Sequence, residues 1–228
     1  MPISKPSNPQ DSFTLRDIVS RERLLSLLTA LFLLGVAYVF EHFANIYAFA
    51  YSLRPTSNHV GDIILDAIPV IDLNFIIIEG ALITIVLGTL LVFSKPRYVL
   101  FSLKALAVFI IIRAIFISLT HVGIHPDNII PGLGFFDGVY LYLNFQTGLF
   151  FSGHTGLPFL FALIFWKKPL VRYILLSVSF VFGVAVLFAH IHYSIDVFAA
   201  PFMAYGIFKI TRHLFPRDYE LIAPASRA

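Results

Sequence analysis

The chain has 228 residues, of which 58% are hydrophobic and only 13% are charged, and its mean hydropathy is +0.86. Soluble domains carry about 25% charged residues, so this composition excludes a water-soluble protein and predicts a chain that lies in a lipid bilayer. The net charge of +3 is small, and the absence of cysteine excludes disulfides, thiolate catalysis and cysteine-ligated zinc.

Six continuously apolar stretches follow a polar segment of 23 residues. Strands of a membrane barrel alternate apolar and polar residues, so uninterrupted runs such as Phe75-Ile76-Ile77-Ile78 indicate helices. The predicted fold class is an all-α integral membrane protein, a bundle of six transmembrane helices within residues 24–212, with tails at 1–23 and 213–228. In chain order the predicted spans are Leu24–Phe40, Phe75–Phe93, Val99–Leu119, Leu149–Trp166, Tyr173–Ala189 and Val197–Ile210.

Lysine and arginine are unevenly distributed between the two sets of connectors. Twelve lie in the two tails and in the connectors after the second and fourth spans, whereas the other connectors carry only Arg54. The positive-inside rule therefore predicts that both termini are cytoplasmic and that the connectors at 41–72, 120–148 and 190–196 face outward. We expect a bacterial inner membrane with these connectors in the periplasm, and a eukaryotic Golgi or plasma membrane is the alternative.

Three groups of polar residues lie at or inside span ends, where burial of a charge is costly and indicates function. They are Ser152-Gly153-His154-Thr155, the connector from His190 to Asp196, and Arg113 in the third span. The fourth and fifth spans form a helical hairpin, so its two outer ends, and with them His154 and His192, return to one level of the membrane. The predicted topology thus brings all three groups to the outer face.

These residue types suit phosphoryl transfer. His192 can attack phosphorus, Asp196 can orient its ring and stabilise the cation, and His154 can protonate the departing oxygen. Ser152, the first backbone amides of the fourth span and Arg113 can hold phosphate oxygens.

The motifs Ser-Gly-His-Thr at 152–155 and His-Tyr-Ser-Ile-Asp-Val at 192–197 resemble the catalytic motifs of the sphingomyelin synthase family, a branch of the type 2 phosphatidic acid phosphatase superfamily. The resemblance spans roughly residues 60–212, and a looser third match runs from Arg113 to Pro126. It implies six spans, an outward site, His192 as the nucleophile, Asp196 as its partner and His154 as the acid–base group. Gly153, Thr155 and Tyr193 are substrate-binding candidates within these motifs.

This chain lacks cationic residues that bind phosphate in other members of the superfamily. Phosphatases of the superfamily have Ser-Arg where this chain has Ala185-Val186, and Arg-Pro where it has Thr120. A phosphate diester carries one negative charge and a monoester nearly two, so fewer cations favour a diester. The sequence therefore predicts a phosphotransferase that moves a phospholipid head group to a lipid alcohol, such as ceramide or diacylglycerol, through a phosphohistidine. A lipid phosphate phosphatase is the alternative, and a transporter or non-enzymatic membrane protein is a minor one.

Some choices stay open at this level. Gln146-Thr147-Gly148 replaces the Cys-Gly-Asp of sphingomyelin synthases, so choline, ethanolamine, inositol or glycerol can be the head group. Glu79 lies inside the second span and either serves the site or pairs with Arg113 or another buried group.

The remaining expectations concern metals and partners. His121 and His125 have the spacing of metal ligands on a helix, but we assign them to the outer loop, although Asp127 leaves a metal site open. We predict no metal and no cofactor, with a donor phospholipid, an acceptor lipid alcohol and membrane lipids as partners, and no nucleic acid.

Overall fold

A computed structural model describes residues 13–52, 54, 59–120, 122–128 and 150–223. These residues form helices and connectors and contain no strand. A π-helical turn at Phe75–Glu79 leads into the third helix, and a 3₁₀ turn lies at Leu65–Ala67. The helices are α1 (Leu15–Ile18), α2 (Leu24–Ser52), α3 (Gly80–Phe93), α4 (Pro96–Leu119), α5 (Gly153–Ile164), α6 (Pro169–Phe188), α7 (Ser194–Leu214) and α8 (Pro216–Glu220).

Four helical segments are long and apolar enough to cross a bilayer, namely 24–52, 75–93, 96–119 and 169–188. They coincide with the first, second, third and fifth of the six predicted spans. At the fourth and sixth predicted spans the structure has α5, with only 12 residues, and α7, with 21 residues that include Asp196, Lys209 and Arg212. Spanning by these two helices and the orientation of the termini stay predictions.

Two predicted boundaries differ from the observed ones. Helix α2 continues to Ser52 rather than ending near Phe40, so Glu41 lies in the helix interior. Helix α5 begins at Gly153 rather than at Leu149, because Ser152 is its N-cap and accepts a hydrogen bond from the Thr155 amide. Neither boundary follows from an apolar run alone. Such a run does not show which residue caps a helix, and it does not show that a polar residue such as Glu41 has a buried partner.

The core surrounds α4, which buries residues on all sides, while the outer helices keep large apolar side chains exposed. Leu25, Phe180 and Phe202 are 75%, 73% and 80% exposed. Such surfaces are unfavourable in water and ordinary against lipid. Together with the four long apolar helices, they support an integral membrane protein.

Close helix packing fixes the relative positions of α4, α5, α6 and α7. A Cβ placed at Gly156 of α5 would lie 3.1 Å from the Phe109 ring of α4 and 3.5 Å from Ala200 of α7. A Cβ at Gly183 of α6 would lie 3.2 Å from Val197. Small residues allow membrane helices to approach this closely, so the first turns of α5 and α7 are held side by side.

A buried ion pair ties the segment after α7 to the helix bundle. Lys104 of α4 pairs with Asp218 of α8, and its Nζ also donates to Ser26 Oγ of α2 at 2.8 Å. The Lys104 and Asp218 side chains are 4% and 6% exposed. Part of the predicted C-terminal tail is therefore a helix packed on the bundle.

Asp218→Asn is expected to lower the free energy of unfolding by about 3–5 kcal/mol, because it leaves the Lys104 ammonium buried without a countercharge. The measurement is chemical unfolding in detergent micelles. Lys209→Met, which removes an exposed lysine of α7, is the matched control and is expected to change stability by less than about 0.5 kcal/mol. Equal stability of the two variants would show that the pair does not hold α8.

Candidate active site

His192 and Asp196 form a buried pair at the start of α7. The end of α6 turns back on itself, because the Ile191 amide donates to the Val186 carbonyl at 3.0 Å, and this turn sets the position of His192. His192 Nδ1 lies 3.4 Å from Asp196 Oδ2, and both side chains are about 95% buried. When Nδ1 carries the proton and donates to the carboxylate, Nε2 has an unshared electron pair.

His154 faces this pair from the first turn of α5. Its ring centroid lies 6.2 Å from that of His192 and 5.8 Å from that of Phe182. The Ser152 amide donates to the Asp196 carbonyl at 3.1 Å, so the start of α5 is tied directly to the start of α7. The backbone of Ile77, in the π turn before α3, lies beside the His154 ring.

Arg113 of α4 lies against the beginning of α5. Its Nε donates to the Phe151 carbonyl at 3.1 Å, and a Cβ on Gly153 would lie 3.4 Å from the same nitrogen. Its Nη1 donates to Glu41 Oε1 of α2 at 2.7 Å. The structure therefore brings His154, His192, Asp196 and Arg113 together, and it adds Glu41, which follows the end of the first predicted span.

Three predicted phosphate or substrate residues make contacts within the protein. The Ser152 side chain is fully buried as the cap of α5. The Thr155 side chain packs toward Gly183 of α6, and its carbonyl accepts from Ser179 Oγ. Tyr193 donates its hydroxyl to the Gly123 carbonyl at 2.9 Å. Their part in binding phosphate or substrate stays a prediction.

Glu79 lies at the end of the π turn and is partly buried. Among the described residues, the Arg113–Glu41, His192–Asp196 and His154–His192 contacts connect the site, and the Glu79 carboxylate takes part in none of these three. Its part in the site stays a prediction. His121 and the stretch Gln146-Thr147-Gly148 lie outside the described residues.

Asp62, from the connector before α3, contacts the first residue of α7. Its Oδ2 accepts from the Ser194 amide at 2.6 Å, and its Oδ1 accepts from the Ile64 amide at 3.0 Å. It therefore caps α7 from 132 residues away. Burial alone raises the pKa of Asp62, but the backbone amides that donate to it hold the pKa below its usual value.

Asp62→Asn is expected to lower stability at pH 7 by about 1–2 kcal/mol, because a charged cap of α7 is lost. Since the folded-state pKa is depressed, this contribution is present above the unfolded-state pKa of about 4 and disappears as the pH falls through the folded-state value. Thermal unfolding of wild type and variant at pH 7 and below pH 4 measures it. Asp66→Asn, at an exposed aspartate of the same connector, is the control. A gap that is constant with pH would contradict this role.

His190 lies in the turn between α6 and α7. Its ring contacts His125 with centroids 4.8 Å apart, and it is 3% exposed. Burial, together with the neighbouring His125, lowers the pKa of His190, so its imidazole is neutral at pH 7.

Residues 147–214 match the family model described as PAP2 superfamily C-terminal. The matched segment contains His154, His192 and Asp196 and covers less than a third of the chain. Among curated proteins, none matches this chain. The family match supports the type 2 phosphatidic acid phosphatase superfamily and an enzyme of the phosphatase or phosphotransferase kind, but not the sphingomyelin synthase branch specifically.

Proposed function

We propose that this chain, whose residues 147–214 match the PAP2 superfamily C-terminal model, is a membrane phosphotransferase. It moves the phosphate-bearing head group of a phospholipid to a lipid alcohol such as ceramide or diacylglycerol. The observation that carries the proposal is the series Asp196, His192 and His154, in which a carboxylate is paired with one imidazole and a second imidazole faces the first.

The separation of the two histidines suits attack on phosphorus. A reacting atom lies about 3–3.5 Å from its nucleophile, and a general acid lies about 3 Å from the oxygen that it protonates. Ring centroids 6.2 Å apart place the two rings close enough to act on one phosphoryl group. The backbone amides of the first turn of α5 lie at the N-terminal end of a helix, where they can donate to phosphate oxygens.

In the first step, His192 Nε2 attacks phosphorus and the bond to the glycerol oxygen of the donor breaks. His154 gives its proton to that oxygen, so diacylglycerol leaves and His192 carries the phosphate with its head group. Asp196 stabilises the positive charge on the imidazole. In the second step, His154 takes the proton of the acceptor hydroxyl, the acceptor oxygen attacks phosphorus, and the bond to His192 breaks. Both histidines return to their starting states.

The charges around the site favour a diester over a monoester. Arg113 is already paired with Glu41, so the two together add little net positive charge. At the position where superfamily phosphatases have arginine, Val186 is fully buried and packs with Ile77 and Val197. A monoester dianion would meet too few cations here. We place the enzyme in a bacterial inner membrane with a periplasmic site, with the Golgi or plasma membrane as the alternative.

The test supplies purified protein with phospholipids labelled in the phosphate, together with ceramide or diacylglycerol, and separates the lipid products. With ceramide, we expect the label in a new phospholipid and an equal amount of released diacylglycerol. With diacylglycerol as the acceptor, we expect the labelled head group to be exchanged onto the added diacylglycerol. Phosphatidic acid in place of the donor tests the phosphatase alternative. Release of inorganic phosphate from it, with no transfer to either alcohol, would overturn the proposal.

A further inference from the structure

A cluster of side chains that can bind a metal lies beside the turn that precedes His192. His125 and Asp127 come from the connector after α4, and His190 comes from the turn after α6. One candidate ligand atom from each of the three residues lies within 4.8 Å of the others. On sequence alone, His121 and His125 are assigned to the outer loop and no metal is predicted, with Asp127 leaving a metal site open. The third member of the cluster, His190, comes from 65 positions further along the chain than His125.

The His190 ring has no hydrogen-bond partner among the described residues at either nitrogen, although the side chain is 97% buried. The backbone of Ile68 faces the ring outside hydrogen-bonding geometry. A buried polar group without a partner lowers the stability of the fold by about 1–3 kcal/mol. A ligand bound to the ring would remove this cost. The residue also has a φ of 52°, a conformation that is uncommon outside glycine.

The other two side chains can also supply ligand atoms. His125 Nδ1 accepts a hydrogen bond from the Asp127 amide at 3.2 Å, so Nδ1 has the unshared electron pair and Nε2 carries the proton. A metal bound at Nδ1 would replace this hydrogen bond. Asp127 is exposed, so its carboxylate gives an ion a path from solvent. Two imidazoles and one carboxylate suit zinc, with bonds of about 2.0–2.2 Å and a fourth position for water.

We propose that His125, Asp127 and His190 bind a divalent transition metal of the zinc type. The ion joins the connector at 122–128 to the turn that precedes His192, two residues from the catalytic pair. Tyr193, whose hydroxyl donates to the Gly123 carbonyl, already joins the same two segments. The metal therefore has a positioning role and takes no part in the transfer steps.

The test is zinc binding by the full-length protein, purified with a tag that lacks histidine and dialysed against Zn²⁺. We expect one zinc per chain and, after loading with Co²⁺, the absorption bands of a four-coordinate ion. His125→Ala and His190→Ala should lose binding, and Asp127→Asn should weaken it at least about tenfold. His213→Ala, which removes an exposed histidine at the far end of α7, should bind as wild type does.

Two results would overturn the proposal. One is wild-type protein that binds no stoichiometric metal. The other is binding that His192→Ala removes and His125→Ala keeps, because the ion would then sit on the catalytic residues. If His190→Ala fails to fold, Asp127→Asn decides, since its side chain is exposed and its loss does not disturb the core. The readout is metal content, so it stands whether or not head-group transfer is found.

Discussion

His192→Ala is expected to reduce head-group transfer at least about 10⁴-fold, because the side chain that forms the covalent bond to phosphorus is missing. Asp196, fixed by the Tyr193 amide at 3.1 Å, would keep its place in the variant. The measurement is the initial rate of labelled lipid formation with saturating donor and acceptor. The thermal unfolding temperature shows whether the variant is folded.

The matched control is His213→Ala, at an exposed position of the same helix outside the site. It should keep the wild-type rate. His192→Gln serves as a second variant that retains bulk and polarity in the buried site but has no nucleophilic ring nitrogen. A residual rate within tenfold of wild type in both His192 variants would mean that another group attacks phosphorus.

His154→Ala is expected to slow transfer about 10²–10⁴-fold from a natural phospholipid, since diacylglycerol would leave as an unprotonated alkoxide. A donor with a nitrophenolate leaving group needs no such proton. With that donor, the first step should slow by less than about tenfold. The burst of nitrophenol in a rapid-mixing experiment measures this step separately from the second.

A structural role for His154 would give a different pattern. His154 touches Phe182 and lies beside Ile77, so a disturbed packing would slow both donors equally. Equal losses with the two donors would contradict an acid–base role. Phe182→Leu is the packing control, because it alters the same contact and leaves the histidine in place.

The sequence predicted the helical bundle and the main chemical groups because both depend on local patterns. Continuous apolar runs identify helices in a membrane, and the His-x-x-x-Asp spacing at 192–196 identifies a pair that meets at a helix start. Pro96 and Pro169 mark the first residues of α4 and α6, where proline is favoured.

The sequence did not reveal Glu41 and Asp62, because their roles depend on distant partners. Glu41 lies 72 positions from Arg113, and Asp62 lies 132 positions from Ser194. From hydropathy alone, a polar residue after an apolar run is assigned to the end of the span unless its partner is known. Glu41 has such a partner, and α2 therefore continues past it. The proximity of His125 to His190 was equally hidden.

The central claim is that His192 carries the head group between donor and acceptor. The most direct measurement is to mix the enzyme with donor phospholipid labelled in its phosphate, without acceptor, and to identify the labelled residue after rapid denaturation at alkaline pH. We predict label on His192, stable to alkali and released by acid, that passes to ceramide or diacylglycerol when acceptor is added before denaturation. No labelled histidine in wild-type protein that is transferring head groups would contradict the account.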